Sequence, residues 1–292
     1  MYCDGWEEEA AEGFFRPALY RLAKDKLALL GLVIILGVVA AGIFAPYLAP
    51  NDPLKIDLNQ RLLAPGKLFP LGTDHLGRCV LSRLIYGIRV SLTTSFIVLF
   101  IIMTISIFVG TVSGYVGGRV DNLIMRVIDI LLAFPGLILA LAITGMLGPS
   151  IMNVMIALAA VHWVGYARII RGMVLSIKEK EYVLAARACG TTDGKIIFRH
   201  ILPNIISPVI VLSTLDMGHL ILSISGLSFL GLGAQPPVPE WGAMLNDGRP
   251  YMQVAPQLML YPGIAILLVV LAFNLLGDGL REVFDPRGTR RA

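Results

Sequence analysis

Charged residues are scarce in this chain. Asp, Glu, Lys and Arg account for 15% of its 292 residues, while hydrophobic residues account for 56%. In soluble domains about a quarter of the residues are charged. This shortage argues against a soluble globular domain and predicts a membrane protein.

Cysteine is also rare, and its three copies, Cys3, Cys79 and Cys189, lie far apart. An odd and widely spaced set indicates neither a disulfide framework nor a zinc site.

The first 24 residues hold an acidic run, EEEAAE, in place of the basic start and apolar core of a cleavable signal peptide. The phosphate-binding pattern G-x-x-x-x-G-K-[ST] is missing too, so we expect no ATP site in this chain.

Long apolar stretches dominate the sequence instead. A run of about 18 apolar residues is long enough to cross the hydrocarbon core of a membrane. We therefore predict an all-α membrane protein with six transmembrane helices, over residues 27–48, 90–116, 122–146, 151–172, 204–230 and 257–277. Pro135 is expected to kink or end the third helix. Gly110, Gly114 and Gly118 lie four residues apart, a spacing that lets two helices pack closely in lipid.

The basic residues predict the orientation. Six spans place both ends of the chain on one side, and 17 of the 24 Lys and Arg residues fall on that side. Cytoplasmic segments of membrane proteins are rich in Lys and Arg, so we expect both termini in the cytoplasm. The same bias explains the isoelectric point near 9.0 without a nucleic-acid partner. Arg83 and Arg89 fit less well, because they flank the second span on the outer side.

The predicted layout has a cytoplasmic tail (1–26) followed by a membrane domain (27–292). Two external segments (51–89 and 231–256) and one long cytoplasmic loop (173–203) connect the spans. In the loop, residues 179–189 are good helix formers and Gly190 fits a C-cap. A second amphipathic segment, KIIFRHIL, is expected to end at Pro203. Such a unit either docks into a groove of another protein or is a solvated connection.

Three stretches resemble a known family. PLGTDHLGRCVLSRLIYGIRVSL (70–92) and SFLGLGAQPPVPEWGAMLNDGR (228–249) are similar to signatures of the peptide/nickel branch of bacterial ABC-importer permeases. The loop is similar to the EAA loop of these permeases, with matching residues at Ala185, Ala186, Gly190, Leu202 and Pro203. The similarity covers nearly the whole chain.

The resemblance implies a type I ABC-importer permease fold in the bacterial inner membrane. A second permease subunit would complete the pore, two ATPase subunits would bind ATP and Mg²⁺ in the cytoplasm, and an extracytoplasmic binding protein would deliver the substrate. The chain itself would be no enzyme and would hold no cofactor. The residues that the resemblance assigns to coupling with the ATPase are Glu181, Ala185, Ala186, Gly190, Leu202 and Pro203.

Three ionisable residues lie inside the predicted spans. Asp216 and His219 are three residues apart, so they share a helix face near the membrane midplane, and His162 lies midway along the fourth span. Intramembrane ionisable groups are costly and usually face a polar cavity or a partner. Imidazole and carboxylate together suit a divalent cation such as Ni²⁺. Alternatively, these residues only satisfy one another by hydrogen bonding within the packed helices.

HWVGYARIIR and TLDMGHLIL resemble the corresponding spans of nickel permeases in this branch. The resemblance therefore favours import of nickel or a nickel chelate, with dipeptide or oligopeptide import as the alternative. A proton-driven secondary transporter, in which Asp216 and His219 relay protons, is a third hypothesis.

The external segments contain four further candidates. Asp74 and His75 in GTDHLGR, and Glu240 and Trp241 in QPPVPEWG, lie in turn-rich stretches. The resemblance suggests that they contact the binding protein. Alternatively, they pack at the mouth of the pore or against the second permease.

Overall fold

The computed structural model describes residues 24–284, and the regular structure in that range is helical apart from an isolated bridge between Thr73 and Cys79. The α-helices are α1 (Lys26–Ile43), α2 (Ala45–Leu48), α3 (Val80–Val116), α4 (Gly118–Leu132), α5 (Gly136–Leu147), α6 (Ile151–Lys178), α7 (Glu181–Ala188), α8 (Asp193–Ile196), α9 (Leu202–Phe229), α10 (Trp241–Gly248) and α11 (Gln257–Phe284). Most of the predicted tail lies outside the described residues, as do Arg16, Arg21, Arg287, Arg290 and Arg291.

Five helical stretches in residues 24–284 are long and apolar enough to cross a membrane. They are α1, α3, α6, the stretch Asp193–Phe229 that ends with α9, and α11. Helices α4 and α5 pass the same test together, but they are bent by 83° at the break between them. Counting this pair as one broken span gives the six predicted spans.

Pro135 lies at the break in the third span. Helix α4 ends at Leu132, and Pro135 is the extended N-cap residue of α5, which begins at Gly136. Proline has no backbone N–H, and it disfavours helical backbone in the residue before it. The predicted effect of Pro135 is therefore confirmed, and it divides the span into two helices.

Glycine sets the distance between α3 and α6. A Cβ atom at Gly110 would lie 2.7 Å from the carbonyl oxygen of Ala167, and one at Gly114 would lie 2.9 Å from that of Arg171. Only glycine lets the two backbones approach this closely, as the spacing predicted. Gly118 does not belong to this contact, because it begins α4 and open space surrounds it.

The second span begins ten residues earlier than predicted, because α3 starts at Val80. Arg89 therefore lies within the helix. Its guanidinium donates to the carbonyl oxygens of Gly42 at 2.5 Å and Ile43 at 2.8 Å. The last carbonyls of a helix lack intrahelical donors, so Arg89 caps the end of α1. These two hydrogen bonds satisfy the guanidinium group of Arg89 within an otherwise apolar helix.

The predicted cytoplasmic loop is shorter than expected at both ends. Helix α6 continues to Lys178, so the loop starts with α7, and Gly190 follows α7 with φ +79. The predicted helix and glycine turn are confirmed. The predicted end at Pro203 is wrong, since α8, a π turn (Ile197–Ile201) and α9 follow one another directly. Proline is tolerated in the first turn of a helix, where its missing N–H is not needed, and Pro203 is the second residue of α9.

Candidate functional site

Asp216 lies at the centre of a polar cluster between α6 and α9. Only 5% of the residue is exposed, and its Oδ2 atom is buried without a hydrogen-bond partner among the described residues. His162 on α6 and His219 on α9 lie close enough to interact electrostatically with Asp216. The three predicted path residues are therefore brought together. A buried carboxylate oxygen without a donor is costly and needs a functional or structural reason.

Tyr166 is a fourth member of this cluster, and the sequence reasoning missed it. It is half-buried on α6, one turn after His162, and its hydroxyl lies near the carboxyl group of Asp216. Residues four apart share a helix face, so the spacing of His162 and Tyr166 was the signal that could have identified it.

The members of the cluster differ in their exposure. Asp216 is buried, His162 is half-buried and His219 is exposed. Within residues 24–284, no group of three or more His, Cys, Asp and Glu side chains is arranged to hold a metal ion. The cluster therefore offers graded polar contacts instead of a closed coordination site. A transport path needs weak, successive contacts of this kind so that the ligand can leave.

A groove of about 400 Å³ lies between α6, α9 and α11. Its lining residues are Met173, Pro208, Val211, Leu212, Leu215, Arg281 and Phe284. Leu212 lies one turn before Asp216, so both residues belong to neighbouring positions on α9. The groove is apolar apart from Arg281.

Asp74 joins two buried arginines in the connection between α2 and α3. Its Oδ2 atom accepts from Nε of Arg78 at 2.6 Å and lies 3.6 Å from Nε of Arg83. Asp247 on α10 lies 3.2 Å and 3.7 Å from the same two guanidinium groups. Both arginines are only 2% exposed. This ion-pair network, formed by Asp74, Arg78, Arg83 and Asp247, ties the connection and the start of α3 to α10.

Glu240 and Trp241 are buried as well, at 0% and 1% exposure. The Glu240 carboxylate accepts from the backbone N–H groups of Gly242 at 3.0 Å and Ala243 at 2.8 Å, so it caps α10. The Trp241 indole donates to the carbonyl oxygen of Leu84 at 3.1 Å. Both residues therefore fix α10 against the start of α3.

These contacts bear on the four candidates for binding-protein contact. Asp74, Glu240 and Trp241 are packed inside the chain, where they contact α3 and α10, and their contact with a binding protein stays a prediction. His75 is half-buried and stacks on Tyr251 with 5.4 Å between ring centroids. Contact with a binding protein through His75 stays a prediction.

The loop between α6 and α9 carries an accessible face. Among the residues assigned to ATPase coupling, Glu181, Ala185, Gly190 and Pro203 are exposed, and Ala186 and Leu202 are half-buried. Leu184 and Phe198 add apolar surface, at 45% and 74% exposure. Val183 points inward, at 0% exposure, and anchors α7. Apolar side chains grouped around exposed alanines are typical of a protein-interaction surface.

Comparisons with known proteins agree on one family. Residues 106–290 match the family described as binding-protein-dependent transport system inner membrane component, and residues 13–65 match the N-terminal transmembrane domain of oligopeptide transport permease C. A dipeptide transport system permease protein of Alkalihalophilus pseudofirmus is 45% identical over 94% of this chain and 90% of its own length. A nickel transport system permease protein of Escherichia coli is 43% identical over 88% of this chain and 93% of its own. A glutathione transport system permease protein of Pectobacterium atrosepticum is 41% identical over 91% of this chain and 89% of its own.

The fold has a solved counterpart. A chain from an inward-facing structure of the MetNI methionine ABC transporter aligns with a TM-score of 0.54 over 70% of this chain and 98% of its own, at 20% identity. The fold is thus that of a type I ABC-importer permease, which implies ATPase and substrate-binding partners and a second permease. The relatives are transport permeases and not enzymes in their own right. This chain belongs to the binding-protein-dependent transport system inner membrane components, in the branch of ABC-importer permeases whose relatives are named for dipeptide, nickel and glutathione transport.

Proposed function

We propose that this chain is one of two pore-forming permease subunits of an ABC importer for nickel or a nickel chelate, with both termini and the loop between α6 and α9 in the cytoplasm. ATP binding and hydrolysis take place in two ATPase subunits, and an extracytoplasmic binding protein delivers the substrate. The basic residues around the loop support this orientation.

The loop seats in a groove of an ATPase subunit through the exposed face of α7. The exposed positions of Glu181, Ala185, Gly190 and Pro203 support this role. Small side chains at Ala185 and Gly190 allow close approach, while Leu184 supplies apolar contact area. A helix in a groove is displaced as a rigid body when the ATPase subunits close.

The unpaired oxygen of Asp216 is the observation that carries the substrate proposal. It lies buried beside His162, with His219 on the same helix, and a carboxylate with two imidazoles offers ligands that Ni²⁺ accepts. The 43% identity to a nickel permease supports the same substrate. His219 makes the first contact because it is exposed, and Asp216 provides the negative charge deeper in the path.

Dipeptide import is the second candidate. The relative from Alkalihalophilus pseudofirmus, named for dipeptide transport, is 45% identical. In addition, the described residues contain no three-ligand metal group. The ammonium group of a peptide could pair with Asp216 as a metal cation would, so uptake measurements must decide between the two.

The deciding experiment uses the complete importer reconstituted in liposomes with its loaded binding protein. We expect the wild type to take up radioactive nickel and not labelled dialanine, and Asp216→Asn combined with His219→Ala to abolish most nickel uptake. Asp278→Asn, which removes an exposed carboxylate from α11, is the control and should leave uptake unchanged. Unchanged nickel uptake in the double variant would remove these residues from the path. Uptake of dialanine instead of nickel would establish the second candidate.

Co-purification tests the coupling loop separately. We expect Ala185→Trp to release the ATPase subunits from the solubilised complex, because the bulky ring would block close approach of α7. Val254→Trp is the control, since Val254 is 78% exposed in the connection between α9 and α11. Retention of the ATPase subunits by Ala185→Trp at wild-type level would exclude α7 as their contact.

A further inference from the structure

Tyr115 contacts both helices of the loop from the last turn of α3. Its hydroxyl donates to Oδ1 of Asp193, the first residue of α8, at 2.5 Å. The same hydroxyl accepts from Nη2 of Arg187, in the last turn of α7, at 3.2 Å. Tyr115 itself is buried, at 7% exposure. One phenol oxygen thus joins α7, α8 and the end of a membrane-spanning helix.

Lys178 closes the same junction from the end of α6. It donates to the backbone carbonyl of Tyr115 at 2.8 Å, and its Nζ lies 5.6 Å from the centroid of the Tyr115 ring. The guanidinium carbon of Arg187 also lies 5.6 Å from this centroid. Helix α3 has no basic residue of its own in the last turn, so Lys178 supplies the cation that favours a helix C-terminus. Cations near the ring add attraction to its π face.

Helix α3 connects this junction to the opposite end of the molecule. With 37 residues it is about 55 Å long at the rise of an α-helix. Near its start, Arg83 belongs to the ion-pair network with Asp74 and Asp247. Between the two ends, Gly110 and Gly114 hold it against α6. A displacement at Tyr115 therefore acts on a helix that is fixed to partners along its length.

We propose that Tyr115 is the positioning residue that transmits movement of the loop to α3, and through α3 to the ion-pair network at the far end. Its hydroxyl holds α7 and α8 to the end of α3, so the loop cannot move without pulling on that helix. The proposal rests on the proposed function, in which ATPase subunits move the loop. Tyr115 contacts no substrate in this mechanism.

The test compares Tyr115→Phe with wild type in the complete importer reconstituted in liposomes. Phenylalanine keeps the ring and loses the hydroxyl. We expect the ATPase subunits to remain bound and ATP hydrolysis to continue, while ATP consumed per molecule imported rises about tenfold, because the hydrogen bonds of the hydroxyl to Asp193 and Arg187 are lost. The imported probe is radioactive nickel or labelled dialanine, whichever the wild type takes up. Tyr47→Phe, at a residue that is 87% exposed in α2, is the control and should behave as wild type.

Asp193→Ala tests the same contact from the loop side. Asp193 is exposed, so its replacement should not disturb folding even where Tyr115→Phe does. We expect a rise in ATP consumed per molecule imported that does not exceed that of Tyr115→Phe. Adding Asp193→Ala to Tyr115→Phe should cause no further rise, because the tyrosine change already removes the hydrogen bond to Asp193. Wild-type ratios in Tyr115→Phe or in Asp193→Ala would overturn the proposal, as would fully independent effects of the two. A wild-type complex without ATPase subunits would instead refute the proposed function.

Discussion

Replacing Asp74 by asparagine tests whether the buried ion-pair network stabilises the connection between α2 and α3. Asparagine keeps the shape of the side chain. Its Oδ1 can still accept from the backbone N–H groups of Leu76 and Arg78, which bond to Asp74 at 2.9 Å. The change acts at the second oxygen, where an NH₂ group would face the Nε donor of Arg78 at 2.6 Å. Two donors would oppose each other, and only Asp247 would remain as counter-ion for Arg78 and Arg83.

We expect Asp74→Asn to lower the free energy of local unfolding by about 3–5 kcal/mol, the usual cost of leaving a buried charge without its partner. Asp247→Asn is the matched control, because it removes the same charge from the other side of the network. The Asp247 side chain is 28% exposed and its distances to the arginines are longer, at 3.2 Å and 3.7 Å. We expect a cost of about 1 kcal/mol for this partly exposed partner.

Hydrogen exchange of backbone amides measures the effect where it occurs. The N–H groups of Leu62 and Thr73 are bonded within the connection, to Asp74 and Leu63, at 3.1 Å each. A loss of 3 kcal/mol accelerates their exchange by about a hundredfold if opening is local. The Asp247→Asn protein should exchange less than about tenfold faster than wild type. Equal acceleration in both variants would refute the reasoning, because burial would then not determine the cost.

Three further changes test the packing of the chain. Gly110→Ala should lower the free energy of unfolding by about 1–3 kcal/mol, because the added methyl group overpacks the contact with α6. Gly145→Ala is the control, since open space surrounds Gly145, and it should leave the stability unchanged. Melting temperatures in detergent compare the stability of the two variants. Burial raises the pKa of Glu240, so the folded chain keeps this proton at pH values where the unfolded chain has lost it. Stability should therefore fall as the pH rises above 4.5, the ordinary pKa, and Glu240→Gln should flatten this dependence in melting temperatures recorded against pH. Arg171→Gln removes two hydrogen bonds of 2.5 Å to Asp121 and should lower the free energy of unfolding by about 2 kcal/mol. Arg171→Lys should restore only part of this stability, because lysine cannot bind both carboxylate oxygens at once. Melting temperatures distinguish the two variants.

The six spans could be predicted because their signals act over short distances along the chain. Apolar length defines a span, and Pro135 breaks a helix through its own missing N–H. The predicted helix ends were less accurate, because the prediction placed them at the charged residues that limit the apolar runs. Arg83 and Lys178 in fact belong to α3 and α6. Their charges are accommodated by Asp74 and by the carbonyl of Tyr115, which no local pattern reveals.

The polar cluster was predicted in part for a similar reason. Asp216 and His219 stand out because ionisable residues are rare in apolar spans. Tyr166 does not stand out, since tyrosine is common in membrane helices and only contact with Asp216 gives it a role here. Tyr115 was missed because its partners lie in the loop, 72 and 78 positions further along the chain.

The signature stretches at 70–92 and 228–249 show why a motif identifies a fold more safely than a contact. Their resemblance led to the correct family, yet Asp74, Glu240 and Trp241 are buried and hold α10 against the start of α3. Within this chain their contacts are with α3 and α10, and contact with a binding protein stays a prediction. These buried contacts explain the structural role of the signature stretches. They join two connections that are about 160 residues apart in sequence, and they fix the end of α3 that lies opposite Tyr115. Because Arg83 of α3 pairs with Asp247, the ion-pair network gives α10 a fixed position relative to α3.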